Sequence, residues 1–126
     1  MKLQPDKSSA PLVRAHHPDW LQIDEQRFSS SVILSSMAEH PPRAWAPGRF
    51  EELLDTHLHE LACSGAELVI LGTGRRLRFP PAAWLAPFAE RRVGLESMDT
   101  AAACRTYNIL ASEGRKVLAA LLLEPH

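Results

Sequence analysis

The chain has 126 residues, 45% of them apolar, which is enough for one domain with a sizeable core and excludes global disorder. Its formal charge of −1 gives no general field for nucleic acid or an anionic membrane. The two cysteines, Cys63 and Cys104, lack C-x-x-C spacing, so a zinc site is not expected and a reducing, cytoplasmic compartment is. The apolar run Val117–Leu123 is too short to span a bilayer, and Met1–His16 has no apolar core, so no secretory signal is read there.

Residues 1–17 are polar and are expected to be a flexible tail, leaving 18–126 as a single domain. From Trp20, Leu21 and Ile23 alternate with Gln22 and Asp24. Asp24–Arg27 reads as a turn, and Ser31–Ser35 as the strand returning from it, making an N-terminal β-hairpin. His40–Gly48, with three prolines, is a loop.

Arg49–Ala62 predicts a helix: at ~100° per residue, Phe50, Leu53, Leu54, Leu58 and Leu61 share one arc, and Gly65 follows its end. Leu68–Leu71 has no alternation, as expected of a strand covered on both faces. Pro81–Arg91 predicts a short helix with Trp84, Leu85 and Phe88 inward, interrupted at Pro87. Val93–Ser97 is the next strand. A second long helix, capped by Asp99 or Thr100, runs to Glu113 and stops at Gly114; Lys116–Leu123 is a final buried strand. Alternation of strands and helices predicts an α/β fold in three layers, with helices flanking a central mixed β-sheet.

Two stretches carry the polar residues that could form a site. Gly72-Thr73-Gly74 is followed by Arg75-Arg76, not by the Lys-Ser/Thr of a phosphate loop, and Leu77 stands where a dinucleotide fingerprint needs its third glycine. It is either a tight exit turn or a small anion pocket of exposed amides and guanidinium groups. Asp99-Thr100 opens a helix at another strand end, where ligands of open α/β sheets tend to bind, although capping alone also explains both residues.

On that helix Ala103, Cys104, Tyr107, Leu110 and Ala111 face inward. Arg105, Asn108 and Ile109 face outward, either as an ordinary surface or as a small recognition face centred on Ile109, which could also join two copies of the chain. Cys104, mid-helix beside the apolar arc, reads as a buried structural cysteine. His57 and His59 lie ~200° apart on a helix and cannot share an ion. No catalytic signature or metal-ligand spacing is present.

The motifs LGTGRRLRFP (Leu71–Pro80) and ESMDTAAACRTYNILASEGRKV (Glu96–Val117) resemble the bacterial domain-of-unknown-function family that also contains the mitochondrial complex I assembly factor 3. The resemblance implies a compact three-layer α/β domain without cofactor or known catalytic residues. For the mitochondrial member it implies a role in assembling respiratory complex I through protein contacts at the inner membrane. It marks Gly72, Thr73, Gly74, Arg75, Asp99, Thr100, Arg105, Tyr107 and Asn108 as a site for an unknown ligand or partner, to which Arg76 and Ile109 are added by position. The expected function is that of a non-catalytic, protein-binding accessory factor. The rival is a small-molecule binder or enzyme that holds an anion with Arg75 or Arg105.

Overall fold

Strands run Val13–His17 (β1), Trp20–Ile23 (β2), Gln26–Phe28 (β3), Val32–Ser35 (β4), Arg43–Ala44 (β5), Leu68–Gly72 (β6), Gly94–Met98 (β7) and Val117–Leu121 (β8) in a computed structural model that describes residues 9–124. The helices are Asp55–Ala62 (α1), Ala86–Arg91 (α2) and Thr100–Ser112 (α3), with short 3-10 turns at Phe50–Glu52 and Ala82–Leu85. The central sheet has the order β5-β4-β8-β6-β7. Strand β6 is parallel to both β7 and β8, whereas β4 is antiparallel to β8 and β5, so the sheet is mixed.

The chain leaves β6, passes α2 to the outer strand β7, then returns over β6 through α3 to β8. Because the second connection reverses direction, right-handed crossovers put α2 and α3 on opposite faces. Two cores result. Val32, Leu34, Ile70, Val117, Ala119 and Leu121 pack towards Ala103, Tyr107 and Ala111 of α3. Ile33, Val69, Leu71, Leu118 and Ala120 pack towards Leu58 and Leu61 of α1 and Phe88 of α2. Alternate residues of β4, β6 and β8 therefore enter alternate cores, which is why the apolar run of β6 shows no polar period. The result is one three-layer α/β domain.

Several sequence expectations need correction. The strand returning from Trp20–Ile23 is Gln26–Phe28, not Ser31–Ser35, which instead pairs with β8. Asp24, at φ 48, makes the tighter turn that this shorter hairpin requires. The last part of the expected tail, Val13–His17, is strand β1 and extends the hairpin to a three-stranded sheet. Ala10 and Leu12, also within that expected tail, pack against the first core, and residues 1–8 lie outside the described residues. Leu21, Ile23 and Val13 of this small sheet are buried beside α3 in the first core. The helix expected over Arg49–Ala62 divides into the 3-10 turn and α1, with extended backbone at Leu53 and Leu54 between them. That break turns Leu54 outward, to 56% exposure, while Leu53 stays buried.

Candidate functional site

At the carboxyl ends of β6 and β8, beside the start of α3, lies a cavity of about 270 Å³. Gly74, Arg75, Asp99 and Thr100 line it, joined by Glu124 and by His16 at the end of β1. Desolvation pushes the His16 imidazole below its ordinary value, against the opposing pull of Asp99. Four of the residues singled out in the sequence thus share one wall.

Four amides at this wall, those of Thr73, Gly74, Arg75 and Thr100, are engaged within the chain. The Thr73 amide donates to Met98 O at 2.8 Å and the Thr100 amide to Gly74 O at 2.8 Å. The Gly74 amide donates to Thr100 Oγ1 at 2.9 Å, and that hydroxyl donates onward to Leu122 O at 2.7 Å. The Arg75 amide donates to Glu124 Oε1 at 3.3 Å. Asp99 is the cap of α3, accepting from the Ala102 amide at 2.9 Å, so Thr100 is left to tie the β6 turn to the end of β8. An anion could take the Gly74 and Arg75 amides only by displacing Thr100 and Glu124.

Both glycines follow from this packing. A Cβ on Gly74, whose φ is +101°, would lie 2.2 Å from Glu124 Oε1. One on Gly72 would come within 3.0 Å of Thr100 Oγ1 and 3.1 Å of Thr100 Cα, so its absence lets α3 approach the strand.

Glu124 and Arg78, which sequence reasoning did not assign to the site, organise the loop that follows. Arg78 pairs with Glu124 and with Glu51, the latter at 3.0 Å, donates to Thr73 O at 2.7 Å, and covers the Phe50 ring at 4.8 Å. Burial alone would raise the Glu124 carboxyl, but hydrogen bonds from the Phe50 amide, Arg78 and the Arg75 amide outweigh it and hold the group below the usual carboxylate value. The Thr73 hydroxyl, fully buried, donates to Arg76 O at 2.7 Å and accepts from the Arg78 amide at 3.1 Å. The available signal was the pattern Leu77-Arg78-Phe79: an inward arginine between two outward apolar residues.

Arg105, Tyr107, Asn108 and Ile109 separate into two groups. Tyr107 is fully buried and its hydroxyl donates to Pro11 O at 2.9 Å; burial raises the phenol well above its ordinary value. The Asn108 amide accepts from the Val13 amide at 2.9 Å and donates to Val13 O at 2.8 Å, acting as a substitute strand partner for β1. Both residues hold the N-terminal segment against α3. Arg105 and Ile109 remain exposed, Ile109 at 59%. Cys104 is buried, and desolvation pushes its thiol up to about 12, which keeps it protonated and non-nucleophilic at neutral pH. Among the described residues, no helix is long and apolar enough to cross a membrane.

The chain is similar to proteins of known sequence and structure over nearly all its length. It is 39% identical over 125 residues to human NADH dehydrogenase (ubiquinone) 1 alpha subcomplex assembly factor 3, covering 98% of this chain and 66% of that protein. It is 26% identical over 120 residues to the 13 kDa major membrane protein of Francisella tularensis, covering 93% and 95% of the two chains. The solution structure of a Mth938-like domain from Bordetella pertussis superposes with a TM-score of 0.81 at 30% identity, over 99% of this chain and 94% of that one. Residues 13–122 match the family described as proteins of unknown function, DUF498/DUF598, and the chain belongs to that family.

Proposed function

We propose that this protein is a non-catalytic accessory factor that helps to assemble a membrane complex, respiratory complex I foremost, through protein contacts. The human relative that bears the assembly-factor name aligns with 98% of the chain, which supports carrying the role across. The observation that carries the reading is the contrast at the strand ends. The Gly74 and Arg75 amides, which would hold an anion, are spent on Thr100 and Glu124, while Leu77 and Phe79 stand in solvent. The protein acts from the cytoplasmic side, at the periphery of the inner membrane. The relative named as a major membrane protein supports an association with a membrane.

Affinity capture from the native cell, paired with a deletion strain, tests the reading. A reproducible set of complex I subunits or assembly factors and a loss of assembled complex are expected. An empty capture together with normal complex I in the deletion strain would overturn it.

A second reading, a small-molecule binder, has one observation in its favour: the cavity of about 270 Å³ with Arg75 in its wall. A thermal-shift screen with phosphates, nucleotides and carboxylates addresses it. A ligand at 100 times its dissociation constant stabilises by about 2.7 kcal/mol. That shift should vanish in Arg75→Ala, and a set of flat responses would end this reading.

A further inference from the structure

The loop Arg75–Phe79 is held from beneath and bare on top. From beneath, the Thr73 hydroxyl clamps the backbone of Arg76 and Arg78. The Arg78 side chain, only 15% exposed, fastens the loop to Glu51, Glu124 and the Phe50 ring. Arg78 is turned inward, whereas both its neighbours face solvent. Phe79 is 69% exposed and Leu77 is 49% exposed. Isolated apolar residues on a surface are ordinary. Two within three residues, on a loop anchored by a buried hydroxyl and a three-way arginine, form a preorganised apolar feature.

The charges around this feature have a direction. Arg78 is neutralised by its two carboxylates, and the exposed Arg76 stands on the near side of Leu77 and Phe79. The Arg78–Glu51 pair brings the loop beside the segment that carries Glu52, Leu54 and Asp55, all exposed, with Leu54 at 56%. The surface is therefore apolar at its centre, basic on one flank and acidic on the other. An anionic bilayer would attract the arginine and repel the carboxylates beside it. A protein segment can match both signs.

We infer that Leu77, Phe79 and Arg76 form the centre of the docking surface, and that its occupant is an apolar segment of a partner protein bearing a carboxylate where it meets Arg76. The inference rests on the protein-binding reading above and assigns that reading its surface. Phe and Arg are enriched at protein interfaces, and Arg is enriched at their hot spots.

The test uses full-length wild-type, Phe79→Asp, Phe79→Ser, Arg76→Glu and Ile109→Glu baits in native-cell capture. Mass spectrometry identifies the recovered protein, which is then purified and titrated at low and high salt. Each bait is first shown to melt like the wild type. Both Phe79 variants should bind at least about ten-fold more weakly, since hot-spot truncation costs that much or more. Arg76→Glu should weaken binding and reduce its salt sensitivity, and Ile109→Glu should leave affinity unchanged.

Undiminished binding by Phe79→Asp would overturn this surface and leave the protein-binding reading standing. An empty wild-type capture would overturn both. Co-sedimentation with phosphatidylglycerol-containing vesicles but not pure phosphatidylcholine vesicles, abolished by Phe79→Asp, would reassign the loop to a lipid surface and equally overturn the inference.

Discussion

The loop motif at Leu71–Pro80 and the helix motif at Asp99–Asn108 both carry several polar residues but use them differently. The helix motif turns most of them inward: Asp99 caps, Thr100 bridges the β6 turn to Leu122, Tyr107 reaches Pro11, and Asn108 stands in as a strand partner for Val13. The loop motif uses Thr73 and Arg78 as braces and leaves Arg76, Leu77 and Phe79 outside. A distinctive motif can thus be distinctive for folding or for contact, and hydrogen-bond accounting separates the two. Substitutions in the helix motif should cost stability, and substitutions at the loop tip should cost binding.

The largest stability effect is expected at Thr100→Val. The replacement keeps the shape but leaves the buried Gly74 amide and the Leu122 carbonyl without their partner. At ~1–3 kcal/mol for each orphaned buried group, a loss of about 3 kcal/mol and a fall of roughly 10 °C in Tm are expected. Gly74→Ala should fall in the same class, because it adds a left-handed backbone penalty to the collision with Glu124. Calorimetry on both variants checks this; a melt within 2–3 °C of wild type (roughly the shift of a sub-kcal change) would break the assignment of Thr100 as a brace.

Asn108→Ala comes next, at about 1–2 kcal/mol, because β1 loses both hydrogen bonds at Val13. The effect should be local. Hydrogen exchange should quicken across Val13–His17 while β6 and β8 stay protected. Uniform quickening over the whole sheet would contradict the view of Asn108 as an anchor for β1 alone.

Glu124 fastens the loop motif to Phe50 and makes a pH prediction. Its folded pKa is held below the ordinary 4.5, so its contribution is full above that value and is lost as pH falls through the depressed folded value. Glu124→Gln should be less stable than wild type at neutral pH, and the gap should close as the solution is acidified below about pH 4.5. Part of the acid sensitivity will remain, because Glu67 is also held low, chiefly by its hydrogen bond from Arg115. A gap constant with pH would contradict the role given to the Glu124 charge.

The smallest effects belong to the exposed positions. Ile109→Glu and Phe79→Asp should each change stability by no more than about 0.5 kcal/mol. Light scattering on the same samples sharpens the difference between them: a wild-type dimer that Ile109→Glu splits would make the outer face of α3 a self-interface.

How much of this was legible in the sequence depended on distance along the chain. The turn at Gly72–Gly74, the cap and the central strands announce themselves locally, because an unbroken apolar run such as Leu68–Leu71 fits only a strand covered twice. The true neighbour of Val32–Ser35 could not be read, since β8 lies far along the chain and the nearer Trp20–Ile23 has an equally good apolar pattern. Strand β1 offers only Val13 as a core residue and is held by side chains of α3, which no local pattern encodes. At the candidate site, the glycines and Asp99-Thr100 stood out by type. Glu124 did not, because a single acid after a final strand looks like any solvated terminus until Arg78 and two amides are seen to converge on it.

The most direct test of the central claim is complementation of the deletion strain, read as the amount of assembled respiratory complex I on a native gel. Wild type and Ile109→Glu should restore assembly. Phe79→Asp should not, although it accumulates as a folded protein with an unchanged melt. Full restoration by Phe79→Asp, or normal assembly with no copy of the gene, would contradict the account.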